Sequence, residues 1–119
     1  MVSNNALVDK TIEFAIRIVN CNKFLAETKK EFVMSKQLLR SGTSIGANVH
    51  EAIYSQSKAD FISKLSVSLK EASETSYWLT ILNKTEFIDN RMFDSLKKDI
   101  DEIIRIIVSS IKTTKKNDV

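Results

Sequence analysis

The chain has 119 residues, no proline, two glycines, one cysteine and a formal net charge of +3. That length suits one domain with a real core, and the absence of turn punctuation argues against sheets. A lone cysteine excludes an intrachain disulfide framework, and the small basic excess permits nucleic-acid binding without requiring it.

The first predicted helix covers about residues 5–26. It carries two apolar stripes at helical spacing. Val8, Ile12, Ala15, Ile16 and Val19 read as its core face. Leu7, Phe14, Ile18, Cys21 and Leu25 lie well over 100° away. A bundle helix with two apolar faces is sandwiched or meets another subunit. The second stripe, with Trp78 of the third helix, is therefore expected at an oligomer interface.

Thr28-Lys29-Lys30-Glu31 reads as a capping box opening a second helix, about residues 29–54. Gly42 and Gly46 fall toward its apolar side, where close approach of another helix offsets the roughly 1 kcal/mol cost of an interior glycine. Gln37, Ser41, Ser44, Asn48, Glu51 and Ser55 share one narrow sector. Polar residues bordering an apolar face usually hydrogen-bond inside a bundle. Ser44, Asn48 and Glu51 are therefore expected to form a buried network with Glu71 and Glu74 of the third helix.

Ser57-Lys58-Ala59-Asp60 opens the third helix, about residues 58–83. Its core stripe is Phe61, Leu65, Leu69, Ala72, Leu79 and Leu82, with Ser68, Thr75 and Ser76 in the same sector. Thr85 to Ile88 is a connector, and Asp89 or Asn90 is the next N-cap. The fourth helix runs about residues 90–113 on Phe93, Leu96, Ile100, Ile103, Ile104, Ile107 and Ile111. The tail from Lys115 is expected to fray. Four long helices with short connections predict a single all-α domain, an up-down-up-down antiparallel four-helix bundle.

Two blocks are distinctive. One is Gln37-Leu38-Leu39-Arg40-Ser41-Gly42-Thr43-Ser44-Ile45-Gly46-Ala47-Asn48-Val49-His50-Glu51-Ala52. The other is Lys64-Leu65-Ser66-Val67-Ser68-Leu69-Lys70-Glu71-Ala72-Ser73-Glu74-Thr75-Ser76-Tyr77-Trp78-Leu79. With them, nearly the whole chain resembles the bacterial four-helix-bundle family first met as proteins encoded in intervening sequences of large-subunit ribosomal RNA genes. That family is similar to the accessory protein of diversity-generating retroelements, which works beside a reverse transcriptase and binds nucleic acid. The resemblance implies a homo-oligomeric ring, typically a pentamer. By weaker analogy it implies a partner protein such as a reverse transcriptase.

Enzyme chemistry finds little support in these residues. A carboxylate-bridged di-iron bundle needs two Glu-x-x-His pairs, and the chain has one histidine, His50. Zinc fails for the same shortage of ligands. Glu51, Glu71 and Glu74 have no histidine or nucleophile beside them and read as structural. No cofactor, metal site or catalytic residue is expected.

Nucleic acid is the better-supported ligand. Arg91, Lys98, Arg105 and Lys112 recur every seven residues on the fourth helix, and Lys116 extends the line. Such a stripe could track phosphates without reading bases. Lys36 and Arg40 are secondary candidates. The ordinary reading is a solvated, salt-bridged face, because Asp94 precedes Lys98 by four and Asp101 precedes Arg105 by four. Assembly shifts the balance, since a ring repeats the stripe around its axis. The expected protein is a non-enzymatic, ring-forming accessory or scaffold protein with nonspecific RNA or DNA contact. The alternative is a protein-interaction module that never touches nucleic acid. No apolar run approaches the roughly 20 residues of a membrane span and no signal peptide is evident, so no membrane partner and a cytoplasmic location are expected.

Overall fold

A computed structural model describes residues 4–117. Four helices follow one another: α1 (Asn4–Glu27), α2 (Met34–Ile53), α3 (Lys58–Lys84) and α4 (Asn90–Lys116). Each packs on its chain neighbours, and α1 closes against α4. The result is an antiparallel bundle with extents of 51 × 21 × 19 Å. The expected fraying from Lys115 is not seen at Lys115 and Lys116, which remain helical. Asn117 is the C-cap, and residues 118 and 119 lie outside the described residues.

Helix starts follow capping chemistry, with one difference from expectation. The Ser57 hydroxyl accepts from Asp60 N–H at 3.0 Å, and the Asp89 carboxylate accepts from Met92 N–H at 2.8 Å. Both are the predicted N-caps. The box at Thr28 does not form. The chain turns after Glu27, Lys30 takes a positive φ of 55°, and α2 starts at Met34. Glu31 does the capping, but forwards: its carboxylate accepts from Val33 and Met34 N–H at 3.2 Å and from Ser35 N–H at 2.8 Å. A carboxylate at a helix N-terminus satisfies several orphan donors and complements the dipole. Glu31→Ala should therefore lower the urea midpoint of unfolding, with a stability loss of about 1 kcal/mol.

The core corrects the reading of α1. Leu7, Phe14, Ile18, Cys21 and Leu25, expected between subunits, are all buried within the single chain. Ile12, Ile16 and Val19, expected in the core, are 52%, 56% and 37% exposed, and Val8 and Ala15 are only half-buried. The physical reason lies on two neighbouring helices. A Cβ added to Gly42 would sit 2.8 Å from Ile18 Cγ2, and one on Gly46 would sit 3.2 Å from Thr11 Cβ. The α2 glycines thus make room for the Thr11–Ile18 side of α1. On the α4 side, Lys10 pairs with Glu102 and Arg17 with Asp99. Both contacts hold the bulkier stripe inward. Phe14 also fills more of the interior than any side chain of the Val8–Val19 stripe could.

α3 and α4 follow expectation more closely. Phe61, Leu65, Ser68, Ala72, Thr75, Leu79 and Leu82 are buried on α3, and Leu96, Ile100, Ile103 and Ile107 on α4. Leu69, Phe93, Ile104 and Ile111 are half-buried and pack against the core. Ile88, in the connector, is 1% exposed and closes one end. The Asn83 amide anchors it by donating to the Ile88 carbonyl at 3.2 Å.

Candidate nucleic-acid interface

The predicted polar network resolves into separate parts. The buried part is a small hydroxyl seam between α2 and α3. The Ser41 and Thr75 hydroxyls meet at 2.9 Å, Thr75 also reaches the Glu71 carbonyl at 2.8 Å, and Ser68 donates to the Ile45 carbonyl at 2.8 Å. The expected members lie outside this seam. Asn48 is half-buried and donates to the Ser44 carbonyl of its own helix at 2.8 Å. Ser44 donates to the Arg40 carbonyl at 2.6 Å. The Glu51 side chain is 58% exposed and pairs with Lys64 at 3.3 Å. Glu71 and Glu74 both bind Arg40. A long ionic side chain reaches solvent from this border at little cost, whereas a short hydroxyl here must find a partner inside. Thr75→Val should cost about 1–3 kcal/mol by leaving Ser41 short of a partner, read as a lower urea midpoint. Asn48→Leu should cost much less.

Trp78, expected at a subunit interface, is half-buried and packs against the chain's own core. Its ring meets Tyr77 edge-on at 5.1 Å. Among the described residues, its indole Nε1 and the Ser76 hydroxyl are buried without a hydrogen-bond partner.

Arg91, Lys98, Arg105 and Lys112 all emerge on the exposed side of α4. The Asp94–Lys98 and Asp101–Arg105 ion pairs suggested by spacing do not form. Asp101 instead pairs backwards with Lys97 at 2.7 Å. Among the described residues none of the four cations sits in an ion pair. Two further α4 acids face α1: Asp99 binds Arg17 and Glu102 binds Lys10. The hydrogen bond and charge of Lys10 hold the Glu102 carboxyl below its usual range, and Arg105 and Lys98 lower it further. Arg105, Ser109, Lys112, Thr113 and Lys116, with Ile104 and Val108, line an open trough of about 460 Å³ along this face. Two hydroxyls thus stand beside three cations, a combination that suits phosphate oxygens.

The secondary candidates are not part of this face. Lys36 and Arg40 stand on α2, which packs against α1 and α3 and lies diagonally across the bundle from α4. Arg40 is engaged by two glutamates, while Lys36 is exposed. The α1–α4 pairs were not anticipated from sequence. Their signal was the placement of Asp99 and Glu102, three apart and off the line of the basic stripe.

Other chemistry has little to work with. Among the described residues no group of three or more His, Cys, Asp and Glu side chains could hold a metal ion. No described helix is long and apolar enough to cross a membrane. His50 is exposed and contacts Tyr54, ring to ring, at 5.2 Å. Cys21 is 5% exposed, and burial pushes its thiol up to about 11 against the opposing charge of Arg17. Only the thiolate is nucleophilic, so alkylation of native Cys21 near neutral pH should run at least roughly 100-fold slower than in urea. Mass spectrometry of iodoacetamide-treated protein measures this.

These features define a small, all-helical antiparallel bundle whose Arg91, Lys98, Arg105 and Lys112 are outside any ion pair among the described residues. Residues 3–109 match the family described as 23S rRNA-intervening sequence protein, and the chain belongs to that family. A crystal structure from Bacteroides thetaiotaomicron, described as a protein with unknown function from the S23 ribosomal protein family, superposes with a TM-score of 0.91. It is 56% identical, and the match covers 92% of this chain and 97% of that one. No curated protein matches.

Proposed function

We propose that this chain is a non-enzymatic accessory or scaffold protein that self-assembles, in the ring that the resemblance implies, and contacts nucleic-acid backbones without reading sequence. The observation that carries the proposal is the set of α4 cations, Arg91, Lys98, Arg105 and Lys112, all exposed and outside any ion pair among the described residues. Because Asp99 and Glu102 are drawn toward α1 and Asp101 toward Lys97, leaving Asp94 as the exposed acid beside the four cations, positive charge predominates on the outward face. An assembly would repeat that face and multiply weak contacts. The family's printed description refers to 23S rRNA, which makes RNA the first probe to use.

Fluorescence anisotropy with labelled single- and double-stranded RNA and DNA, over a salt series, tests the proposal. The expected result is affinity that falls steeply with salt and varies little with sequence. The absence of binding at low salt would favour the second reading, a module that docks only on a partner protein. The partly exposed apolar residues of α1 support that reading.

A further inference from the structure

Charge is divided unevenly along α4. Residues 89–102 carry Asp89, Asp94, Asp99, Asp101 and Glu102 beside Arg91, Lys97 and Lys98. Residues 103–116 carry Arg105, Lys112, Lys115 and Lys116 and no carboxylate. Glu102, the last acid before this half, is held by Lys10 of α1, and the next acid, Asp118, lies outside the described residues. The cations of the seven-residue stripe are therefore not equivalent. Arg91 and Lys98 each have Asp94 within one helical turn, and Lys98 also has Asp101. Lys112 has no acid within four positions on either side. The helix dipole favours cations in the last turn, which accounts for Lys115 and Lys116. It does not reach Arg105, about three turns from the end.

The same half of α4 holds the open trough of about 460 Å³. Arg105, Lys112 and Lys116 line it together with the exposed Ser109 and Thr113 hydroxyls, and the half-buried Ile104 and Val108 give it an aliphatic side. Two features select the form of nucleic acid that fits. A duplex offers two rows of phosphates across grooves about 6 to 12 Å wide. Arg105, Lys112 and Lys116 make one row: at about 100° per residue they fall within a sector of about 40°, over about 16 Å of helix. One row of cations follows one backbone. The aliphatic side also needs a partner. In a duplex the base faces are stacked inside and do not reach Ile104 or Val108, whereas the unstacked bases of a single strand are open to apolar contact.

We propose that the C-terminal half of α4 is a site for single-stranded nucleic acid, with phosphates on Arg105, Lys112 and Lys116 and base faces against Ile104 and Val108. The inference rests on the nucleic-acid reading above and deepens it: it names the strand form and places the contact at one end of the stripe. Three phosphate contacts on a single strand give a log–log salt slope of about 2 per protomer. The trough has no aromatic ring among its lining residues, so its base contacts discriminate little between bases.

The test is fluorescence anisotropy of the full chain with a labelled mixed-sequence RNA of about 12 nucleotides, alone and annealed to its complement. It is run at about 0.15 M salt and over a salt series. The single strand should bind about fivefold or more tightly than the duplex. Lys112→Glu/Lys116→Glu should weaken single-strand binding about tenfold or more, and Arg91→Glu/Lys98→Glu about twofold or less. Both double variants change the net charge equally, so a difference between them reports location. Val108→Ser should lower single-strand affinity about threefold and leave the duplex unchanged. The charge variants alter exposed side chains and keep the test valid if Val108→Ser fails to fold. Equal or tighter binding of the duplex would overturn the strand form while leaving nucleic-acid binding standing. Equal losses in the two charge variants would overturn the location. No binding of either RNA at low salt would overturn the reading above as well.

Discussion

Ile18→Asp is expected to abolish cooperative folding, whereas Ile16→Glu, two positions away, should leave the helical signal and the urea transition nearly unchanged. Ile18 is 0% exposed and packs where Gly42 brings α2 against α1. An aspartate there loses the buried aliphatic contacts and places an unpaired carboxylate in the interior, where effective penalties reach several kcal/mol. A domain of this size has about 5–15 kcal/mol in total, so one such change consumes much of its stability. Ile16 is 56% exposed, and a glutamate there stays in water. Circular dichroism of the two variants through a urea series measures the difference. A folded Ile18→Asp protein would mean that the inward stripe of α1 is not the core.

Reversing charge at Arg105 and Lys112 together is expected to weaken nucleic-acid binding at least tenfold at low salt, for every sequence tested. Each neutralised phosphate contributes about 0.7 to the log–log salt slope on single strands and about 0.9 on duplex, so losing two contacts should flatten the slope by about 1.4 to 1.8. Folding should be unaffected, because both side chains are exposed and neither is in an ion pair among the described residues. Arg40→Glu serves as a contrast. That guanidinium is held by Glu71 and Glu74, and their hydrogen bonds keep its pKa raised. Its loss should alter binding little and perturb the α2–α3 contact instead. An unchanged salt slope in the α4 variant would remove the stripe from the interface.

Helix number, order and antiparallel packing were legible in the sequence, as were the caps at Ser57 and Asp89 and the inward faces of α3 and α4. In α4 one apolar sector dominates, and periodicity alone points it inward, while on α3 the stripe from Phe61 to Leu82 was legible although Val67 and Trp78 lie off it. α4 shows why a site is harder to read than a fold. Its basic stripe was visible as a seven-residue repeat, but the pairing of its charges was not. Asp94 and Asp101 had three partners each within helical reach, and spacing does not choose among them. The structure pairs Asp101 with Lys97.

Sequence by itself determined an all-helical chain with four amphipathic segments, because side-chain periodicity and capping act within a few residues of one another. Tertiary structure alone decided which face of α1 is inside. Both faces satisfy the same periodicity, and the choice depends on groups far away in the chain: the space left by Gly42 and Gly46, and the carboxylates of Asp99 and Glu102 that hold Arg17 and Lys10. The same distant contacts set which polar residues are buried. Ser41 and Thr75 are 34 positions apart, and only helix packing brings their hydroxyls together.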